Sequence, residues 1–227
     1  MRARRTLNVR RSLTSALRNN ADAPIITFRE YEQHIQGFRA KETAMLVFDK
    51  ELELINSKEV KALVLKVFER VSEHFFDAPA SSSGKYHLED ECQDGGLVLH
   101  TKRVVRMAHE IYGLPWYSQE LPAICHDYLI AAALLHDVCK SGRNWEGGHT
   151  VTEHPLLAAD LVLEVAGTEF NTVAQPIAAT IRSHMGTGWY AVNWKKPELP
   201  TPVTVLQKLL HEADYLASRK YIEVTPM

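Results

Sequence analysis

A run of apolar residues that ends in a histidine and an aspartate constrains this chain more than any other feature. Residues 128–135 read YLIAAALL, and His136 and Asp137 follow directly. Because the run is apolar on every side of a helix, it predicts a helix buried at the centre of the protein. An imidazole and a carboxylate are costly to bury without a partner. The run therefore predicts a helical core with a polar site at one end of its central helix.

The rest of the chain also has helical periodicity. Apolar residues recur at intervals of three and four, and no segment alternates as a strand would. The predicted helices span about residues 59–76, 97–112, 118–140, 155–166, 172–185 and 201–220. We expect an all-α helical bundle over residues 59–222, with its metal-binding core at about 95–220. A basic, helical N-terminal extension over residues 1–58 precedes it.

Composition narrows the class of protein. Charged residues make up 24% of the chain, as in ordinary globular proteins, and no stretch has the apolar length of a membrane helix. The three cysteines have no CxxC spacing, which favours reduced thiols in a cytoplasmic protein. The net charge of −2 argues against a general nucleic-acid coat. The first 20 residues hold six arginines and no acid, which suits a transit peptide, a phosphate-contacting arm or a solvated helix.

Further histidine and aspartate residues are spread over the other predicted helices. By helical spacing, His100, His184 and Asp214 fall on inward faces. A single inward histidine is most simply a hydrogen-bonded core residue, but a set of six on five helices is hard to explain in that way. The full set is His100, His136, Asp137, His154, His184 and Asp214. It has the composition of a two-metal site.

Imidazole and carboxylate ligands suit one or two ions of Mn, Fe, Ni or Zn, with Mg also possible. Asp137 is the natural bridging carboxylate because it adjoins His136. We expect one ion to take His100, His136, Asp137 and Asp214, and the other to take Asp137, His154 and His184. Such a pair of ions activates water and holds phosphoryl oxygens during in-line attack.

The order of these residues and the strings around them resemble the HD-domain metal-dependent phosphohydrolases. The strings are GGLVLHT at 95–101, LLHDVCK at 134–140, TEHP at 152–155, IRSHMG at 181–186 and HEADYLASR at 211–219. Residues 54–101 are similar, more narrowly, to the HD-domain 3′–5′ exoribonucleases and to related plasmid-transfer proteins. The resemblance implies a phosphohydrolase, a class that includes phosphodiesterases and nucleases. Its expected partner is a nucleotide or a nucleic-acid phosphoester, and no membrane partner is expected.

Some positions depart from particular members of that superfamily. Residues 1–58 are too short and too helical for the OB-type domain that those exoribonucleases carry. Tyr86-His87 stands where they have paired histidines. Met185 stands where the HD-GYP enzymes have a further histidine, so we do not expect hydrolysis of cyclic dinucleotides.

Residues beside the expected ligands are candidates for catalysis and substrate binding. Lys140 completes an HDxxK pattern, so its ammonium could neutralise transition-state charge beside Asp137. The alternative explanation for Lys140 is structural, since the helix dipole favours a positive charge at a helix C-terminus. Arg182, Ser183 and Arg143 are candidate phosphate ligands, although Arg182 suits a solvated surface equally well.

Two other functions stay open at this point. Some HD-fold proteins are mixed-valent di-iron oxygenases with the same kinds of ligand, and oxygen consumption with bound iron would indicate that class. A non-catalytic module that binds nucleotides or nucleic acid is the other alternative. Ligand binding without metal, unaffected by chelators, would indicate the module.

Overall fold

The computed structural model describes residues 28–81, 84–144, 150–186 and 199–227. Its helices are α1 (Phe28–Val47), α2 (Asp49–Glu53), α3 (Lys58–Phe68), α4 (His74–Asp77), a 3-10 helix (Glu89–Cys92), α5 (Gly96–Tyr112), α6 (Pro115–Ser118), α7 (Ile124–Leu135), α8 (His154–Ala166), α9 (Asn171–Arg182) and α10 (Val205–Ala217). These residues contain no β-strand, so the all-α prediction is confirmed. The arginine-rich residues 1–20 lie outside the described ranges. No helix within those ranges combines the length and the apolar character needed to cross a bilayer.

The chain divides into two compact units, residues 1–35 and 36–227. In the second unit, Ala44 near the end of α1, Phe48 between α1 and α2, and Leu52 of α2 belong to the same hydrophobic core as residues of the later helices. Residues 36–57 are thus part of the packed unit, and the proposed domain boundary at residue 58 stays a prediction.

Helix α7 is the central helix of the second unit. Every residue from 129 to 135 is fully buried, and α3, α5, α9 and α10 all pack against it. A helix that is covered on all sides needs apolar side chains on all sides. The prediction of a buried central helix is therefore confirmed.

Each end of α7 carries a buried polar residue. Near its start, Asp127 accepts hydrogen bonds from the backbone N–H groups of Asn56 (3.2 Å) and Ser57 (2.7 Å), which joins α7 to the start of α3. At its other end the helix stops at Leu135. The chain then continues as turns, in which Lys140 N–H donates to the carbonyl of residue 137. The helix predicted to run to residue 140 is therefore too long.

Two other predicted helix limits are wrong. The helix expected over 59–76 breaks after Phe68, and a separate short helix, α4, follows. The helix expected from Thr201-Pro202 begins instead at Val205. There Thr204 accepts a hydrogen bond from the backbone N–H of Gln207, whose side chain reaches back to the backbone of Thr204. This reciprocal capping box sets the start of α10.

Candidate metal centre

Six polar side chains from five parts of the chain meet at one buried position. They come from the second turn of α5 (His100), the turns after α7 (His136 and Asp137), the start of α8 (His154), the turn after α9 (His184) and α10 (Asp214). The side chain of Asp214 is 15% exposed, and the four histidines and Asp137 are at most 2% exposed. The structure thus brings together all six residues that the sequence singled out as metal ligands.

The two oxygens of Asp137 face two different pairs of histidines. Oδ1 lies 3.1 Å from Nε2 of His154 and 3.8 Å from Nε2 of His184, and those two nitrogens are 3.3 Å apart. Oδ2 lies 3.4 Å from Nε2 of His136 and 3.9 Å from Nε2 of His100. Ligand atoms about 2.1 Å from one ion stand about 3 to 4 Å from each other. Each side of the carboxylate therefore has the donor spacing of a metal site.

Asp214 adds a second carboxylate to the side of Asp137 that faces His100 and His136. Its Oδ1 lies 3.0 Å from Nε2 of His100 and 4.0 Å from Nε2 of His136. The donor atoms of His100, His136 and Asp214 lie within 4.8 Å of one another, and so do those of His136, Asp137 and His184. Both groups are compact enough to hold a cation.

Three of the histidines are oriented by the same local contact. Nδ1 of His136, His154 and His184 lies 2.7–2.8 Å from the carbonyl oxygen three residues earlier in the chain. Because a carbonyl can only accept, Nδ1 must carry the proton. The lone pair of Nε2 is then directed into the centre, as a metal ligand requires.

Buried polar atoms without partners mark the centre as a binding site. Nε2 of His136 and Oδ1 of Asp137 are buried and form no hydrogen bond within the described part of the chain. Leaving such an atom unpaired costs about 1–3 kcal/mol. The donors are imidazole nitrogens and carboxylate oxygens, without a thiolate, which suits Mn, Fe, Ni or Zn. The residues present therefore fit one or two divalent transition-metal ions.

Electrostatics keep both carboxylates ionised. Burial disfavours the charged form of Asp137, but Lys140 and His136 outweigh this effect and hold its pKa well below the usual range. Burial also disfavours the charged form of Asp214, but the hydrogen bond between Asp214 and His100 outweighs burial and holds the pKa of Asp214 far below its usual value. The centre consequently keeps two negative charges at neutral pH.

His100 is basic in the absence of metal. Burial disfavours the imidazolium form, but the hydrogen bond with Asp214 and the nearby carboxylate of Glu91 outweigh burial and raise the pKa of His100 to about 9. At neutral pH the ring therefore carries an extra proton, which a cation bound at Nε2 would displace.

Lys140 lies beside the carboxylate at the middle of the cluster. Its Nζ is 2.5 Å from Oδ2 of Asp137, and its side chain is 13% exposed. Burial disfavours the ammonium form, but the charges of Asp137 and Asp214 outweigh it and raise the pKa of Lys140. Ser183 is also buried, and its Oγ has no hydrogen-bond partner among the residues described. Both residues are available next to the predicted ligands.

The structure does not bring the two predicted arginine ligands into the cluster. Arg143 pairs with Glu164 at 2.6 Å, and Arg182 pairs with Asp160. Both carboxylates belong to α8, and both ion pairs are partly exposed to solvent. A role for either arginine in substrate binding stays a prediction.

Sequence reasoning missed Glu91. This residue lies in the 3-10 helix and is completely buried. Its Oε2 lies 2.7 Å from Nδ1 of His87 and 3.5 Å from Nδ1 of His100. The sequence shows three consecutive acids at 89–91, but only the packing of the 3-10 helix on α5 decides which of them faces the centre.

Comparison with known proteins adds one finding. The sequence model of the HD domain matches residues 97–219, more than half of the chain and a span that contains all six clustered residues. No curated protein and no solved structure matches the chain significantly. The narrower similarity to exoribonucleases stays a prediction. With its helical fold and its matched region, the chain belongs to the HD-domain superfamily of metal-dependent phosphohydrolases.

Proposed function

We propose that this protein is a divalent-metal-dependent phosphohydrolase that cleaves a phosphoester of a nucleotide or of a nucleic-acid end with an activated water. The observation that carries the proposal is the position of Asp137, whose two oxygens face separate groups of histidines 3.1–3.9 Å away. Membership of the HD-domain superfamily supports hydrolysis. The choice of nucleotides or nucleic acid rests on the resemblance of local motifs.

In this proposal, the six clustered side chains hold two ions. His100, His136, Asp137 and Asp214 hold one of them, and Asp137, His154 and His184 hold the other. When bound, divalent ions of this kind activate water and neutralise charge on a phosphoryl group. The backbone carbonyls that fix Nδ1 of His136, His154 and His184 leave the Nε2 atoms of these residues free to hold such ions.

The remaining residues act on the substrate. Lys140 places an ammonium against Asp137, where it can pair with a phosphoryl oxygen and stabilise charge in the transition state. The Ser183 hydroxyl, which lacks a partner in the described structure, can donate to the same group. Arg143 and Arg182 would contribute by exchanging their carboxylate partners for phosphate oxygens.

The compartment proposed for this reaction is the cytoplasm. Cys92, Cys125 and Cys139 are all free thiols, as expected of a reducing environment. Burial raises the pKa of Cys139 to about 12, so this thiol, two residues from Asp137, stays protonated and is not a nucleophile.

Phosphate release tests the proposal. Metal-free protein is loaded with Mn, Fe, Ni, Zn or Mg and offered nucleotides and short RNA and DNA, with wild type compared to Asp137→Ala. Glu110→Gln, an exposed carboxylate on α5, is the matched control. We expect metal-dependent hydrolysis by wild type and control, and loss of both metal and turnover in Asp137→Ala. Full turnover by Asp137→Ala would contradict the proposal, as would oxygen consumption by the iron-loaded protein without phosphate release.

A further inference from the structure

His100 is held differently from the other three histidines of the centre. Its Nδ1 faces Oε2 of Glu91 at 3.5 Å instead of a carbonyl oxygen three residues earlier. His100 lies inside α5, where the carbonyls of the preceding turn accept the hydrogen bonds of the helix itself. The carbonyl of Leu97 also accepts the hydroxyl of Thr101. An acceptor for Nδ1 of His100 therefore has to come from another element.

Glu91 is itself fixed from both sides. Its Oε1 lies 2.7 Å from Nη1 of Arg103, and its Oε2 lies 2.7 Å from Nδ1 of His87. A Cβ at Gly96 would lie 2.1 Å from the carbonyl oxygen of Glu91, so the 3-10 helix packs directly on the start of α5. The carboxylate consequently presents one oxygen to the guanidinium of Arg103 and the other to the imidazoles of His87 and His100, at 2.7 and 3.5 Å.

We propose that Glu91 is a positioning residue that keeps the proton of His100 on Nδ1 and so directs Nε2 of His100 to the metal. The proposal rests on the proposed metal centre. It assigns a role to a residue that lies outside the region matched by the HD domain, which begins at residue 97. A carboxylate in contact with the second nitrogen of a ligand histidine also makes that histidine a stronger donor.

A separate cation site at the same place is the competing explanation. The donor atoms of His87, Glu91 and His100 lie within 4.8 Å of one another. However, an ion there would share Glu91 with the guanidinium of Arg103. It would also require both nitrogens of His100 to bind metal, since Nε2 already faces Asp214 at 3.0 Å. The hydrogen bonds of Glu91 with Arg103 and His87 already occupy both carboxylate oxygens, which favours the positioning role over a further cation.

The substitution Glu91→Gln tests the positioning role without a change in size. Arg103 can only donate, so the amide oxygen must turn towards it and the amide NH2 must turn towards His87 and His100. Nδ1 of His100 then becomes an acceptor, and the proton moves to Nε2, the atom that should bind metal. We expect Mn²⁺ affinity to fall about 10–100-fold, the range seen when such contacts are removed.

Three matched variants make the measurement specific. Asp90→Asn removes the second carboxylate that pairs with Arg103, and this side chain is 52% exposed. Because the change leaves the contact between Glu91 and His100 intact, Mn²⁺ affinity should stay unchanged. His87→Gln should keep the full number of ions. Glu91→Asp retains a carboxylate and should recover part of the affinity. Mn²⁺ is titrated against a competing chelator, and circular dichroism checks that each variant is folded.

The outcomes separate this inference from the proposed function. If wild type binds no Mn²⁺, the metal centre itself is wrong. If wild type binds Mn²⁺ and folded Glu91→Gln binds it equally well, only the positioning role is wrong. Loss of one ion in His87→Gln would show that His87, Glu91 and His100 form a cation site, and this result would also overturn the positioning role.

A second measurement does not depend on the folding of any variant. In Zn²⁺-loaded wild-type protein with ¹⁵N-labelled histidine, the spectrum should show His100 with its proton on Nδ1. A proton on Nε2, or Zn²⁺ bound at Nδ1, would overturn the proposal.

Discussion

Asp137 lies between two pairs of imidazoles. Its Oδ1 faces His154 and His184, and its Oδ2 faces His100 and His136. The role of each histidine should therefore differ according to the side on which it lies. Removing a residue from one side should affect one ion, whereas removing the carboxylate should affect both.

His154→Ala is expected to lower the metal content from two ions to one. His154 belongs to the side of Asp137 that lacks Asp214, so the ion held by His100, His136, Asp137 and Asp214 should stay. Metal analysis of protein dialysed against Mn²⁺ measures the ratio, with the exposed variant Glu110→Gln as control. A ratio that stays at two would contradict this role of His154, and a ratio of one in both proteins would indicate a single-ion site that does not include His154.

The basicity of His100 should make the metal-free protein less stable at high pH. Its folded-state pKa of about 9 lies above the unfolded value of 6.5, so the folded state binds this proton more tightly. The contribution is complete below pH 6.5 and is lost as the pH rises through about 9. A shift of this size corresponds to about 3 kcal/mol.

Denaturant unfolding in the presence of a chelator checks this pH dependence. The free energy of unfolding should fall between pH 6.5 and 9 in wild type and stay nearly flat in His100→Gln. The lowered pKa of His154 acts in the opposite direction and below this window. A wild-type stability that rises over the same interval would show that His100 is not protonated in the folded state.

The candidate ligands could be predicted from the sequence because each is a histidine or an aspartate with an identifiable position. Helical spacing in the sequence predicts inward positions for His100, His184 and Asp214, and His136-Asp137 ends the apolar run. Glu91 could not be predicted because it lies in an irregular segment, directly after two other acids. Only its tertiary contacts distinguish it from residues 89 and 90.

At the scale of the elements, helix type was easier to predict than helix ends. The apolar pattern of α7 is unambiguous, but capping decides where α10 begins, and the sequence favours Thr201, which precedes a proline. The structure selects Thr204 because Gln207 lies three residues later and completes a capping box. Local hydrogen bonds that differ by a few tenths of a kcal/mol are not visible as periodicity.

The contact of Asp127 with the start of α3 should stabilise the fold without affecting the centre. Asp127 is buried near the first turn of α7, at the opposite end of the helix from His136. Asp127→Ala would leave the N–H groups of Asn56 and Ser57 without their charged acceptor, and we expect a loss of about 1.5–3 kcal/mol.

Urea unfolding and metal analysis together check the role of Asp127. Asp49→Ala, a solvent-exposed aspartate on α2, is the control and should change stability little. A variant Asp127→Ala that unfolds at the same urea concentration as wild type would contradict the assignment. So would one that is stable but has lost its metal.

At the scale of the whole molecule, the centre joins helices that are distant in sequence. The six side chains span residues 100–214 and come from α5, α8, α10 and the segments after α7 and α9. Ions bound there should stabilise the folded unit as a whole. At a Mn²⁺ concentration about 100 times the dissociation constant, the expected gain is about 2.7 kcal/mol.

Thermal unfolding with and without Mn²⁺ checks this linkage. Wild type should unfold at a higher temperature with Mn²⁺ than with a chelator, in one transition, since residues 36–227 share one hydrophobic core. Asp137→Ala should show no shift. An equal shift in both proteins would mean that Mn²⁺ stabilises the fold from another site.

Anomalous diffraction from crystals soaked in Mn²⁺ tests the central claim most directly. We predict two anomalous peaks, one on each side of the Asp137 carboxylate and both enclosed by the six clustered side chains, and neither peak in Asp137→Ala. Mn²⁺ peaks elsewhere on the wild-type protein, with none among those six side chains, would contradict the account.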